Sequence, residues 1–251
     1  MTEYVECVES LPGHKWWFRG VPQLEHKPVP GLIWKKATNY ESTLEHSFLV
    51  GYKAYTDNTS HNSWELYALM QHHGLPTRLL DWSTSALVGL YFALSSEPDY
   101  VGNRCVWVMD PYELNRATLE VDILYCPAVM EDKRIYFDDN FSLDEYLPPN
   151  LKPDSVNDNL PEKPIAIESS RHIKRVSSQQ GCFTVHGSST KHIGSYLEGT
   201  KFFRQIEIDL ESNKDRLEML RTLSLMGIDD EFIYQDLDSL CRKINRECIT
   251  R

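Results

Sequence analysis

The densest run of reactive side chains in the sequence is Gln71-His72-His73-Gly74-Leu75-Pro76-Thr77-Arg78-Leu79-Leu80-Asp81-Trp82. Within it stand an amide, two imidazoles, a hydroxyl, a guanidinium, a carboxylate and an indole. Gly74 and Pro76 break a helix there, so a turn can converge these groups at the rim of a pocket. Asp81 is the candidate charged group for chemistry, with His73 as a second candidate for acid–base work or hydrogen-bond donation. The competing reading is structural, with Arg78 paired to Asp81 to tie the loop down. His72 and His73 are adjacent and point in different directions, which makes them poor joint ligands for one metal.

Arg19 is the other candidate. It follows Trp16-Trp17-Phe18 and precedes Gly20. An arginine at a strand end offers a planar fork to a phosphate, and a glycine beside it lets a ligand approach. The alternative is a surface salt bridge. Gln179-Gln180-Gly181 precedes a strand, and its amides suit a carboxamide or a ribose hydroxyl. They equally suit a polar strand edge. The sequence holds no GxSxG, HExxH, Walker A or GxGxxG pattern. None of its six cysteines forms a CxxC pair, and no metal is expected.

The elements that position these groups are legible in outline. Trp16 to Gly20 predicts a short strand delivering Arg19. Leu44, Phe48 and Tyr52 predict a helix, and Trp64, Ala68 and Leu69 a second one capped by Ser63, with Asp57 to Ser60 as the turn between them. Ser83-Thr84-Ser85 offers N-caps for a helix carrying Leu87, Leu90, Tyr91 and Leu94. Cys105 to Met109 suits a central buried strand, and Asp110-Pro111 starts a short helix. Gly181 to Val185 and Phe202 to Leu210 are further strands, the second with one wet face. Two amphipathic helices close the chain, one with Leu217, Leu220 and Leu223 stopping at Gly227, the other with Leu237, Leu240, Cys241 and Ile244. Residues from about 138 to 164, rich in Pro and Asp, read as a loop or lid.

Bulk properties narrow the classes. At 251 residues, 41% hydrophobic and 25% charged, the chain can bury one substantial core. A net charge of −11 argues against duplex binding through broad positive charge. Arg171, Lys174, Arg175, Lys191, Lys201 and Arg204 could still form a local basic patch, or an ordinary solvated surface. No stretch approaches the ~20 apolar residues that span a bilayer. The N-terminus lacks a secretion signal, so reduced thiols and a cytoplasmic location are expected.

Phe18-Arg19-Gly20 resembles the motif of the FRG family, and Gln71 to Trp82 followed by Ala86 to Ala93 resembles its most diagnostic block. The run RVSSQQGCFT from Arg175 to Thr184 and the close Asp236 to Leu240 resemble two more. The order of motifs is also similar to that of arginine-type ADP-ribosyltransferases: an aromatic-Arg-Gly strand end, then Ser83-Thr84-Ser85 before Phe92-Ala93, then a third strand. The resemblance implies an α+β fold with an ADP-ribosyltransferase-like split sheet core over residues 1–211, the insert at about 138–164, and a C-terminal helical segment, 212–251, packed on it. It implies NAD⁺ as substrate, held by Arg19, Gly20, His72, Thr77, Arg78, Ser83 and Thr84, with Asp81, His73 and Gln179 in the chemistry. Glutamines 179 and 180 stand where that pattern has a catalytic glutamate, leaving Asp81 or a glutamate such as Glu207 for the role. The product would be ADP-ribose on RNA or protein, or hydrolysed NAD⁺. A toxin-antitoxin or phage-defence effector with a neutralising protein partner is the implied setting. A non-catalytic module recognising a nucleotide-like ligand or a partner protein is the alternative.

Overall fold

The computed structural model describes the chain apart from residues 14, 57–59, 136–137, 157–158, 171–173 and 250–251. The side chains of residues 138–140, 174–175 and 246–247 also lie outside the described set. Most of the expected turn at 57–60, Arg171, and the side chains of Lys174 and Arg175 therefore fall outside the description.

In chain order the elements are α1 (Thr2–Glu9), β1 (Trp17–Val21), α2 (Gly31–Trp34), α3 (Glu41–Gly51), α4 (Ser63–His72), β2 (Leu79–Ser83), α5 (Ala86–Ser95), β3 (Arg104–Met109) and α6 (Pro111–Leu119). They continue with β4 (Arg134–Ile135), β5 (Asp138–Ser142), β6 (Ile165–Glu168), α7 (Lys174–Ser178), β7 (Gly181–Val185), β8 (Phe203–Ile208), α8 (Asn213–Leu225), α9 (Asp230–Tyr234) and α10 (Leu237–Ile249). Six strands form one sheet in the order β6-β7-β2-β1-β3-β8, with every neighbouring pair antiparallel. The class is α+β, as the sequence predicts.

The sheet is weakly joined at its middle. β1 runs beside β3 through five pairs, from Trp17↔Met109 to Val21↔Cys105. β2 runs beside β7 through five, from Leu79↔Val185 to Ser83↔Gly181. Between β1 and β2 the ladder holds one pair alone, Phe18↔Ser83. Two three-stranded halves therefore meet at a single point.

Side-chain alternation sends successive residues of each strand to opposite faces. One face packs Trp17, Leu80, Trp82, Trp107 and Met109 under Leu114 of α6 and the Ile193–Tyr196 turn. On the other face, α5 covers one half-sheet, burying Val88, Leu90 and Leu94 against Phe18, Val106 and Val108. α4 covers the other half, with Trp64, Tyr67 and Met70 against Leu79, Phe183 and Val185. Helices α4 and α5 thus lie on the same face, one over each half.

Local chemistry explains the two helices. The N-cap of α4 is Asn62, not the Ser63 expected from sequence. Asn62 has extended backbone and accepts from Glu65 N at 3.0 Å, while Glu65 accepts from Asn62 N at 3.0 Å; this reciprocal pair leaves Ser63 as the first helical residue. Helix α5 starts on Ser85, whose hydroxyl accepts from Val88 N. Its C-terminus and the loop after it are held by Arg104, fully buried, which donates to the carbonyls of Ala93, Ser96, Glu97 and Tyr100.

The insert departs from expectation. The segment read as a loop pairs β5 with β4, then sends Leu143, Tyr146, Leu147 and Leu151 into the core under α4. Trp64 Nε1 donates to Asp144 Oδ1 at 2.7 Å, and Asn150 binds the buried Glu45 carboxyl. Leu143, Tyr146, Leu147 and Leu151 have helix-like spacing, but Pro148 and Pro149 stand inside the run and make it read as a loop.

At the C-terminus α8 ends before Gly227, as predicted. Arg216 of α8 donates to the Leu94 carbonyl at 2.9 Å. The short α9, which the sequence pattern did not separate from its neighbours, buries Ile233 in the same cluster as Leu90. Among the described residues no helix is long and apolar enough to cross a membrane.

Candidate functional site

A cavity of roughly 230 Å³ opens between α4 and α5, at the point where β1 and β2 part. Ala68, Gln71 and His72 of α4 line one side and Phe92 of α5 the other, with Arg19 from β1 and Asp81 and Ser83 from β2 between them. Val176, Gln179 and Phe183 complete the wall.

Arg19 bridges the gap between the two half-sheets. Its Nη1 donates to the Asp81 carbonyl at 2.7 Å. Its Nε is buried with no hydrogen-bond partner among the described residues. Burial lowers the guanidinium pKa from its ordinary value, and the nearby Asp81 charge opposes that shift; an arginine stays charged through such a shift. A buried donor left without an acceptor costs about 1–3 kcal/mol, more when charged.

The Asp81 side chain is exposed at the cavity. Its Oδ2 accepts from Gln71 Nε2 at 2.6 Å, and Gln71 Oε1 accepts from Thr77 Oγ1 at 2.7 Å. Thr77 Oγ1 accepts from Leu79 N at 3.0 Å. One half-buried arginine and one oriented carboxylate therefore border the same cavity. The FRG domain family model matches residues 14–100.

Over that span the chain is similar to FRG domains. No curated protein and no solved structure matches the chain.

The FRG region supplies Arg19, Gln71, His72, Asp81, Ser83 and Phe92 to the cavity, while Val176, Gln179 and Phe183 come from outside it. The remaining candidates from the sequence sit as follows. Gly20 lines the cavity, but its missing side chain serves packing. A Cβ there would stand 1.9 Å from Gly89 O and 2.3 Å from Ala93 N, so the glycine lets β1 touch the α5 backbone. Arg78 does not pair with Asp81. It is buried and forms a forked contact with Glu41, Nη2 to Oε2 at 2.7 Å, and donates to Gly187 O at 2.8 Å. That guanidinium clamps α3 to the β2 entry and does not line the cavity.

Ser83 is turned into structure, donating to Gln179 O at 2.6 Å and accepting from Ser85 N at 3.0 Å. Thr84 donates to Gln180 Oε1 at 3.0 Å, and its amide donates to Gln180 O. Together they fasten the start of α5 to the turn before β7, where Gln180 takes a left-handed φ of 47°. Gln179 lines the cavity, yet its Nε2 donates to Ile233 O of α9 at 3.0 Å. His72 borders the cavity and meets the His73 ring edge-on, centroids 4.8 Å apart. His73 itself is the exposed C-cap of α4 and does not line the cavity. Glu207 is exposed on β8, accepts from Asn103 Nδ2 at 2.8 Å and is not at the cavity. Lys191, Lys201 and Arg204 are exposed and do not line the cavity.

Sequence reasoning passed over Gln71 as a site residue, although it stands first in the dense block. Its signal was the pairing of an amide on the last helical turn with a carboxylate in the next strand, which only the fold brings within reach. Glu41, the partner of Arg78, gave no sequence signal at all across a separation of 37 residues.

Proposed function

We propose that the cavity binds NAD⁺ and that the protein transfers its ADP-ribose to a macromolecule, RNA or protein, or to water. The observation that carries this reading is the convergence of Arg19, with an unpartnered buried Nε, and the Asp81 carboxylate on one cavity at the parting of β1 and β2. NAD⁺ has complementary features, an anionic pyrophosphate and a cationic nicotinamide ring. At roughly 230 Å³ the cavity is below the ~300–1,000 Å³ of sites that enclose a whole drug-sized ligand. It matches the nicotinamide–ribose part, with the adenosine along the rim.

In this reading Arg19 grips the pyrophosphate by charge-assisted hydrogen bonds. The bond between ribose C1′ and the nicotinamide nitrogen breaks, and its electron pair leaves with the ring. Positive charge develops on the ribose, and the fixed Asp81 carboxylate stabilises it in a site partly shielded from water. An acceptor oxygen or nitrogen then bonds to C1′ and gives up its proton. The one-pair junction between half-sheets supports an ADP-ribosyltransferase-like core. An activity of this kind suits a toxin or defence effector kept in check by a protein partner.

A second reading is a non-catalytic module for a nucleotide-like ligand. It is favoured by Gln179, whose amide is spent on α9, and by Asp81 being the one carboxylate residue among those lining the cavity. Incubation with NAD⁺ labelled in the adenylate, with and without RNA and cell lysate, separates the two. Label on a macromolecule or released nicotinamide supports the enzyme. NAD⁺ binding without either supports the module.

A further inference from the structure

We propose that Thr77 and Gln71 are positioning residues, a hydrogen-bond relay that fixes the Asp81 carboxylate as an acceptor aimed at the cavity. The proposal rests on the reading of Asp81 as the charge-stabilising group, but the relay itself is a property of this chain that can be tested without any reaction.

The sense of the relay is set at both ends. The Leu79 amide can only donate, and an ionised carboxylate can only accept. Leu79 N donates to Thr77 Oγ1 at 3.0 Å, Thr77 Oγ1 to Gln71 Oε1 at 2.7 Å, and Gln71 Nε2 to Asp81 Oδ2 at 2.6 Å. With the Gln71 amide turned over, its oxygen would face the carboxylate at the same close distance and repel it. Thr77 is 2% exposed, so the hydroxyl has no water to turn to and its proton goes to Gln71. Bonds in such a chain polarise one another, which strengthens the last one onto the carboxylate.

The relay also explains the local sequence. Gln71 stands in the last turn of α4, and Asp81 sits in the middle of β2. The connecting turn needs Gly74, at φ +81°, to reverse the chain so that Thr77 lands under Gln71. On the far side, the Arg19 guanidinium holds the Asp81 carbonyl. Main chain and side chain of Asp81 are thus fixed from opposite elements, with the carboxylate at the cavity wall.

Three variants test this: Thr77→Val, which keeps the shape and removes the hydroxyl; Thr77→Ser, which restores it; and Gln71→Met, which keeps the length and removes the donor. The first readout is the Gln71 side-chain amide in ¹H–¹⁵N NMR. We expect slow solvent exchange in the natural sequence and in Thr77→Ser, and exchange at least tenfold faster in Thr77→Val. The second is NAD⁺ turnover. Thr77→Val and Gln71→Met should each lower kcat by about tenfold with little change in KM, and the double variant should lose no more than Gln71→Met alone. Equal amide protection in Thr77→Val and the natural sequence overturns the relay. So do losses that multiply in the double variant. If NAD⁺ is neither bound nor turned over, the proposed reaction fails while the amide exchange still decides the relay. Should Thr77→Val fail to fold, Gln71→Met keeps the turnover readout: full turnover in Gln71→Met overturns the proposal.

Discussion

Two buried titratable residues set opposite pH limits on stability. Glu45 is 3% exposed, and burial pushes its carboxyl up to about 7 against the opposing hydrogen bonds from Asn150. A carboxyl raised in the folded state favours folding fully below its unfolded value and loses that contribution as pH rises through 7. Replacement by glutamine should therefore stabilise the protein at pH 8, by up to about 3 kcal/mol, with the gain shrinking toward zero near pH 5. Urea midpoints of both proteins at the two pH values check this, and a gain that is equal at both contradicts it. His186 is fully buried, and burial pushes it down to about 3 against a backbone contact with Lys191 that opposes the shift. Its neutral form is the folded form, so its contribution is complete above pH 6.5 and is lost as pH falls toward 3. His186→Phe should flatten the acid limb of a stability profile; an unchanged limb would count against it. Neither limit was visible in the sequence, because a lone Glu or His shows no burial until the fold closes around it.

At the scale of elements, the strands that carry the site were readable where composition and punctuation agreed. Trp17-Phe18 before Gly20-Val21-Pro22 announces β1, the run Cys105 to Met109 announces β3, and Ser85 does cap α5. What could not be read was which residues serve packing rather than ligand. Gly20 looked like an opening for a phosphate, but its neighbour is the α5 backbone. Gly20→Ala should cost several kcal/mol or prevent folding, because backbone atoms at 1.9 and 2.3 Å cannot give way as a side chain would. Thermal unfolding of the variant gives the answer, and an unchanged midpoint would mean that β1 and α5 can separate at little cost. The buried insert residues Leu143, Tyr146 and Leu147 escaped notice for a related reason. Their short helix-like spacing is cut off by Pro148 and Pro149, and their burial is decided by α4 and β2 far away in sequence.

Taken whole, the molecule is larger than the region its family pattern recognises. Residues 14–100 contain β1 and β2 but neither β3 nor β7, their main partners. One ladder pair cannot hold two strands in water. The isolated 14–100 segment should therefore be unfolded, and its NMR spectrum should show collapsed amide dispersion while the full chain shows a wide one. A folded fragment would contradict this account of the sheet. The C-terminal helices belong to the same body. Arg216 reaches Leu94, Tyr91 bonds to Asp230, and Gln179 at the cavity bonds to Ile233. The sequence signalled the candidate site only as separate clusters around Arg19, Gln71–Trp82 and Gln179–Gly181. The fold joins them across the weak seam of the sheet, a feature of pairing register that no local pattern encodes.

The central claim, that Arg19 is the anion anchor of an NAD⁺ cavity, is tested most directly by calorimetric titration of NAD⁺ into the natural protein and into Arg19→Ala. Affinity should fall by about 10- to 100-fold in the variant, the worth of charge-assisted hydrogen bonds. The thermal midpoint should fall only about 2–4 °C, for the single bond to the Asp81 carbonyl. NAD⁺ binding that is equal in both proteins, or a variant that loses its fold along with its affinity, contradicts the assignment.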